Sequence, residues 1–264
     1  MSSGMWRAVY DSVAGTSHSG TGIPCQDSCR VVHLPVEEGA LLVVCCADGA
    51  GSATYSADGA EIACDTFVRI IENDCRSLDI DENLSCDNVL EWLREMRFRI
   101  EERANALRVE IRELASTFLA AVIGESTALF IQIGDGAIVV RNGDDYRPVF
   151  WPQSGEFANT TNFLTDDRFA ERVEWNRLSE RVDELAVFSD GLERLVLRFA
   201  DRSVHRPFLE PFFAALRQAE NSEEYFEPLR LFLGSPKVNE RTDDDKTLIL
   251  ATRLSQCSDS DAVP

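Results

Sequence analysis

The chain has 264 residues, 44 % of them apolar, and a formal net charge of −20 from 46 acidic against 26 basic side chains. That apolar share is enough to bury a sizeable core, and the acid excess repels nucleic-acid backbones and anionic membrane surfaces. Neither nucleic acid nor a membrane is therefore expected as a partner.

In chain order, Trp6–Ala14, Ser28–Leu34 and the strongly apolar Ala40–Ala47 read as strands. Ala60, Ala63, Phe67 and Ile70 recur at helical spacing and predict a helix over Ser56–Asn73. A longer helix is expected over Asp87–Ser116, with Leu93, Met96, Ile100, Leu107, Ile111 and Leu114 as its apolar stripe. Thr117–Ile123 and Ala128–Ile133 form an expected hairpin, and Ala137–Arg141 with Tyr146–Phe150 a second one around Asn142-Gly143. Trp151–Arg172 is polar and irregular, with Thr160, Thr161 and Asn162, and reads as a long loop. Glu184–Phe188 is a buried strand, Leu192–Phe199 opens a helical region running on through Phe208–Gln218, and Thr247–Thr252 is a last strand. Strands and helices come in blocks with hairpins, which predicts α+β with antiparallel sheets. Residues from Ser255 onward are polar and apolar-poor, a flexible tail (255–264) behind one domain over residues 1–254.

Met1–Tyr10 holds no apolar run of signal-peptide length, and no stretch reaches the ~20 apolar residues that cross a bilayer. A cytoplasmic protein whose eight cysteines are thiols is expected. Cys25 and Cys29 stand four apart and Cys45 and Cys46 are adjacent, without a second close pair or nearby histidine to complete a zinc set.

Four segments share one pattern. Leu41–Ala47 runs into Asp48-Gly49, Leu129–Ile133 into Gly134-Asp135-Gly136, and Leu185–Phe188 into Ser189-Asp190-Gly191. Asp243, Asp244 and Asp245 lie just before the strand at Thr247. An acid at the end of a buried strand projects from a stiff scaffold, and all-oxygen ligands suit magnesium, manganese or calcium. Asp-Gly is also an ordinary turn dipeptide, so the pattern alone leaves a turn and a metal site both open.

Cys45-Cys46-Ala47-Asp48-Gly49-Ala50-Gly51-Ser52 resembles the second aspartate motif of the metal-dependent protein phosphatases, the protein phosphatase 2C family. Gln26-Asp27 resembles the family's first acid, Ile133-Gly134-Asp135-Gly136 its Gly-Asp motif, Phe188-Ser189-Asp190-Gly191-Leu192 its Ser-Asp-Gly motif, and Asp244-Asp245-Lys246-Thr247 its last one. All five fall in family order. Gly15-Thr16-Ser17-His18 and Pro24-Cys25-Gln26-Asp27 look closer still to a bacterial subgroup.

The resemblance implies an α-β-β-α sandwich, two antiparallel sheets flanked by helices, with two divalent ions, Mn2+ or Mg2+, at one end. By the same carry-over Asp48 bridges the ions, the carbonyl of Gly49 binds one, and Asp190 and Asp244 complete the protein ligands of one. Asp27 holds the other through water, and Asp135 takes a weaker third ion. A metal-activated water then attacks a phosphoserine or phosphothreonine of a phosphoprotein, the product of a bacterial serine/threonine kinase, and the enzyme is expected as a monomer. A catalytically weak phosphoprotein-binding module and a small-molecule phosphomonoesterase are the other functions this sequence admits. Two departures stand out. Ala50 occupies the place of a histidine often proposed as general acid, and His18 stands where a phosphate-binding arginine is common. His18 is thus a candidate phosphate contact or leaving-group acid. His33 and His205 have no motif around them.

Overall fold

A computed structural model describes residues 6–20, 22–36, 39–74, 86–154 and 161–254. The expected tail 255–264 and Thr160 lie outside the described residues. The elements run β1 (Trp6–Val13), α1 (Thr16–Ser19), β2 (Ser28–Val36), β3 (Gly39–Ala47), α2 (Ser56–Asp74) and α3 (Cys86–Leu107). Then come β4 (Phe118–Ile123), β5 (Ala128–Ile133), β6 (Ala137–Asn142), β7 (Asp145–Pro148), α4 (Phe169–Arg172), β8 (Glu174–Leu178) and β9 (Glu184–Phe188). The last are α5 (Glu193–Val196), β10 (Leu197–Arg198), β11 (Ser203–Val204), α6 (Arg206–Gln218), α7 (Phe226–Leu233), α8 (Pro236–Asn239) and β12 (Lys246–Arg253).

Two five-stranded antiparallel sheets result, ordered β1-β12-β9-β6-β7 and β2-β3-β4-β5-β8. The α-β-β-α sandwich expected from the resemblance is the fold found. Its layers follow from the period of two along a strand. On β3, Leu41, Val43, Cys45 and Ala47 face α2 and α3, while Leu42, Val44 and Cys46 join the layer between the sheets. On β9, Leu185 and Val187 face that middle layer, and Ala186 and Phe188 face α6 and α7. Apolar contacts on both faces explain why these strands read as unbroken hydrophobic runs.

Three elements differ from the sequence reading. The helix expected over Asp87–Ser116 stops at Leu107, because Arg108 adopts φ 60° and the Val109 N–H donates back to the Ala104 carbonyl at 3.0 Å. The apolar stripe then continues through a separate 3-10 turn, Ile111–Leu114. The region from Leu192 to Gln218 is not one helical run. The His205 N–H donates to the Val196 carbonyl at 2.7 Å and closes the small β10–β11 hairpin between α5 and α6. Finally, β8 emerges from a stretch too mixed in pattern to read as a strand, pairing as an edge with β5.

Where α2 crosses the 3-10 turn the backbones nearly touch. A Cβ at Gly59 would lie 2.0 Å from the Leu114 carbonyl oxygen, which is main chain and has little room to yield. Gly59→Ala gains about 1 kcal/mol of helix propensity but loses about 3 kcal/mol to overpacking. The expected net loss of about 2 kcal/mol is read as a lowered urea midpoint. An unchanged midpoint would refute the close approach.

At the end of the sandwich away from the acids, Arg253 of β12 ties the sheets together. Its guanidinium donates to the Gly124 carbonyl at 2.7 Å, the Val182 carbonyl at 3.2 Å and Glu125 at 2.8 Å. It also lies 4.6 Å above the Trp6 ring.

Candidate metal centre and active site

Strand register gathers the acids. Ser28 pairs with Ala47, so one step beyond, Asp27 faces Asp48. Ala137 pairs with Phe188, so two steps beyond, Asp135 faces Asp190. Leu248 pairs with Phe188, which carries Thr247 to Ser189 and brings the Asp243–Asp245 run beside Gly191. Asp27, Asp48, Asp135, Asp190 and Asp244 therefore come together at one end of the sandwich, supplied by both sheets.

Period-two alternation also decides what lies under them. Ser12, Ser189 and Thr247 continue the inward-facing rows of β1, β9 and β12. Their hydroxyls form a chain: Ser12 Oγ and Thr247 Oγ1 are 2.7 Å apart, and Ser189 Oγ and Thr247 Oγ1 donate to Asp27 Oδ2 at 2.8 and 2.7 Å. Asp48 is fixed through its backbone. Its N–H donates to Thr117 Oγ1 at 3.0 Å and its carbonyl accepts the Thr117 N–H at 2.8 Å. Gly49 has to be glycine, since a Cβ there would sit 2.7 Å from the Gln26 carbonyl and 2.9 Å from Ser56. A groove of about 560 Å³ opens beside Asp27 between β1 and β2, with Tyr10, Ser12, Arg30 and Phe226 on its walls.

The electrostatics are those of anions crowded away from water. Burial, then the charges of Asp27 and Asp190, push the Asp48 carboxyl well above its ordinary range. Burial raises Asp27 to about 7 against the opposing hydrogen bonds from Thr247 and Ser189, and raises Asp135 to about 6 with help from Asp190. Asp244 is also raised, by burial and Asp190. Glu193, one turn beyond Asp190, rises to about 7 through burial and the charges of Asp190 and Asp135. No sequence pattern singled out Glu193; an acid three residues after a candidate ligand at the start of a helix was the available signal.

These residues fit hard divalent cations. The donors are carboxylates, and two of their buried oxygens, Asp27 Oδ1 and Asp190 Oδ1, have no hydrogen-bond partner among the described residues. A cation would satisfy both oxygens and cancel the mutual repulsion. As placed, no three His, Cys, Asp or Glu side chains among the described residues converge as a closed set for one ion.

His18 reaches this cluster. Its Nδ1 lies 2.9 Å from Asp245 Oδ1. Ala50, by contrast, is packed with Ala53, Ala115 and Phe163, and its N–H donates to the Ala115 carbonyl at 2.9 Å. A small apolar cluster thus occupies the surroundings of the position where the resemblance leads one to look for histidine. His33 is exposed on β2, and His205 donates from Nδ1 to the Leu195 carbonyl at 3.1 Å. Burial, beside the charges of Asp27 and Asp245, pushes the Cys25 thiol far up. In the loop 151–172, Gln153 accepts the Gly134 N–H at 2.9 Å and an Asn162 N–H at 3.0 Å.

Comparison with known proteins agrees with this geometry. The sequence profile described as Protein phosphatase 2C matches residues 14–231. The chain is 38 % identical over 251 residues to "Serine/threonine-protein phosphatase 3" of Escherichia coli (strain K12), covering 93 % of this chain and 98 % of that one. Among solved structures, it resembles the serine/threonine phosphatase Stp1 from Staphylococcus aureus, at 17 % identity and TM-score 0.59, covering 97 % of this chain and 98 % of that one. It likewise resembles PppA of Pseudomonas aeruginosa, at 16 % identity and TM-score 0.59, covering 96 % and 100 %. Those two likenesses speak to the fold. The class is that of the protein phosphatases. The chain belongs to the protein phosphatase 2C family, whose members are metal-dependent, in general on manganese or magnesium.

Proposed function

We propose that this protein hydrolyses phosphoserine and phosphothreonine on phosphoproteins, in one catalytic domain over residues 1–254, with two Mn2+ or Mg2+ ions and a weaker third. The observation that carries the reading is the cluster of strand-end carboxylates with two buried, unpartnered oxygens. Asp48, the Gly49 carbonyl, Asp190, Asp244, Asp27 and Asp135 are the residues that would hold these ions. When bound, the ions supply an activated water and neutralise the phosphoryl oxygens.

The chain's own part is preorganisation. Ser189 and Thr247 hold the Asp27 carboxylate in one orientation through two hydrogen bonds. Thr117 fixes the Asp48 backbone from both sides, which holds the base of its side chain in place at the mouth of the site. His18 contacts the phosphate or protonates the leaving alkoxide, the task Ala50 has no group to perform. Every residue in these roles comes from one chain, so a monomer suffices. A bacterial serine/threonine kinase would generate the substrate, in keeping with the name of the 38 % identical bacterial relative. The free thiols among the described cysteines accord with a reducing cytoplasm.

Manganese-dependent hydrolysis of a phosphothreonine peptide and of an aryl phosphate by wild type and Asp190→Asn tests this. Wild type is expected to turn over both and Asp190→Asn to lose on the order of 10²-fold or more. Equal rates in both forms would remove Asp190 from the ligand set. Turnover of the aryl ester without the peptide would point to a small-molecule phosphomonoesterase.

A further inference from the structure

We propose that Asp245, the second acid of the last motif, is a positioning residue that orients the His18 imidazole and fastens the loop between Gly15 and Asp27 to β12. The proposal deepens the role given to His18 above and rests on that reading.

Asp245 is buried, and acceptors on both sides of its carboxylate are in use. Oδ1 accepts the Gly15 N–H at 2.7 Å and faces His18 Nδ1 at 2.9 Å, while Oδ2 accepts the Gln26 N–H at 2.6 Å. The Cys25 thiol lies beside it. The Asp245 N–H in turn donates to Asp244 Oδ1 at 2.8 Å. Beside it, the Asp243 carbonyl accepts the N–H of Ser17 at 3.0 Å and its hydroxyl at 2.6 Å. One short segment thus grips both ends of the loop, the imidazole and a neighbouring candidate ligand. The fit is close enough that a Cβ at Gly15 would meet the Asp243 carbonyl oxygen at 2.2 Å.

The chemistry explains why an acid stands here. An asparagine has one acceptor oxygen and an NH2 that donates. Turned either way, its NH2 would face the Gln26 N–H or the pair of Gly15 N–H and His18 Nδ1. A carboxylate accepts on both sides. Because Asp245 accepts, Nδ1 of His18 carries the ring hydrogen, and Nε2 is the nitrogen on the far side of the ring from Asp245. An arginine at this place would present several donors in a fixed fork. An imidazole presents one nitrogen at a time and has to be oriented. His18 and Asp245 therefore form a unit.

The test uses the full chain labelled with 15N. Long-range proton–nitrogen correlations read the tautomer of each of the three histidines, His33 and His205 serving as controls. Wild type is expected to show His18 protonated at Nδ1, and Asp245→Asn to lose that signature while the controls stay unchanged. A wild-type His18 protonated only at Nε2 overturns the proposal without any variant. In kinetics on a phosphothreonine peptide, His18→Ala and Asp245→Asn are each expected to lower kcat on the order of 10²-fold, with KM within about twofold. The double variant should fall no further than either single one. Multiplying losses, or a His18→Ala enzyme with wild-type kcat, would overturn it. Failure of the functional reading has a separate sign: wild type would not hydrolyse phosphopeptide with manganese at all.

Discussion

Asp48→Asn is expected to lower metal-dependent turnover by about 10³-fold and at the same time to stabilise the metal-free protein. The two effects share one cause. Asp48 is half-buried among Asp27, Asp190 and Asp135, and desolvation with their charges pushes its carboxyl well above the ordinary range. In the folded chain that group, when ionised, is a source of repulsion, which a cation or a proton relieves. An amide of nearly the same shape removes the charge, and with it both the repulsion and the affinity for the ion. Activity falls while the melting temperature without metal rises by several degrees, on the order of 1 kcal/mol or more. A structural aspartate would behave the other way, losing stability on replacement. A variant less stable than wild type in chelator, with activity intact, would refute the role given to Asp48.

The second large effect is the pH dependence of stability without metal. Asp27 rises from 3.8 to about 7 and Asp135 from 3.8 to about 6 in the folded chain. Well below pH 3.8 both groups are protonated in folded and unfolded states, and they favour neither. Between 4 and 7 the unfolded chain releases these protons while the folded chain retains them. The folded state binds more protons, so its stability falls as pH rises through that window. Above 7 the penalty is complete and levels off. Raising a carboxyl's pKa tenfold in proton affinity on folding costs about 1.4 kcal/mol once the group is ionised, so the combined loss amounts to several kcal/mol. Manganese or magnesium should raise the melting temperature strongly at pH 8 and little at pH 5. Calorimetric melts in chelator and in excess metal at the two values give the answer. An equal metal-induced rise at both would mean that the ions do not bind at these carboxylates.

The strands were legible because the middle layers of the sandwich force apolar residues onto both faces, so β3, β4 and β9 stand out as apolar runs, and β5 as one broken only by Gln132. Their ends were legible for the same reason, which is how Asp48, Asp135 and Asp190 emerged before any resemblance was invoked. Edge elements were harder. In β8 only Trp175 and Leu178 pack against the core, each on a different side, and Glu174, Asn176 and Arg177 dilute the pattern. The break after Leu107 hid inside a continuing stripe, because Ile111 and Leu114 serve the same core from a separate 3-10 turn. At the site, the residues that hold others were invisible. Ser189, Thr247 and Asp245 act across 162, 220 and 227 positions of sequence, on Asp27 and His18. Only strand register brings such partners together.

Arg253 and the acid cluster sit at opposite ends of the same two sheets, and they work as a hinge and a jaw. At the hinge, a guanidinium satisfied by Gly124, Val182 and Glu125 keeps the sheets together whether or not a cation is present. At the jaw, like charges from the two sheets push apart, and the bonds from Ser189 and Thr247 to Asp27 restrain them. Withdrawal of the ions therefore strains the molecule from one end. The hinge allows the fold to carry an electrostatic load at its mouth that the same sheets would not withstand at both ends.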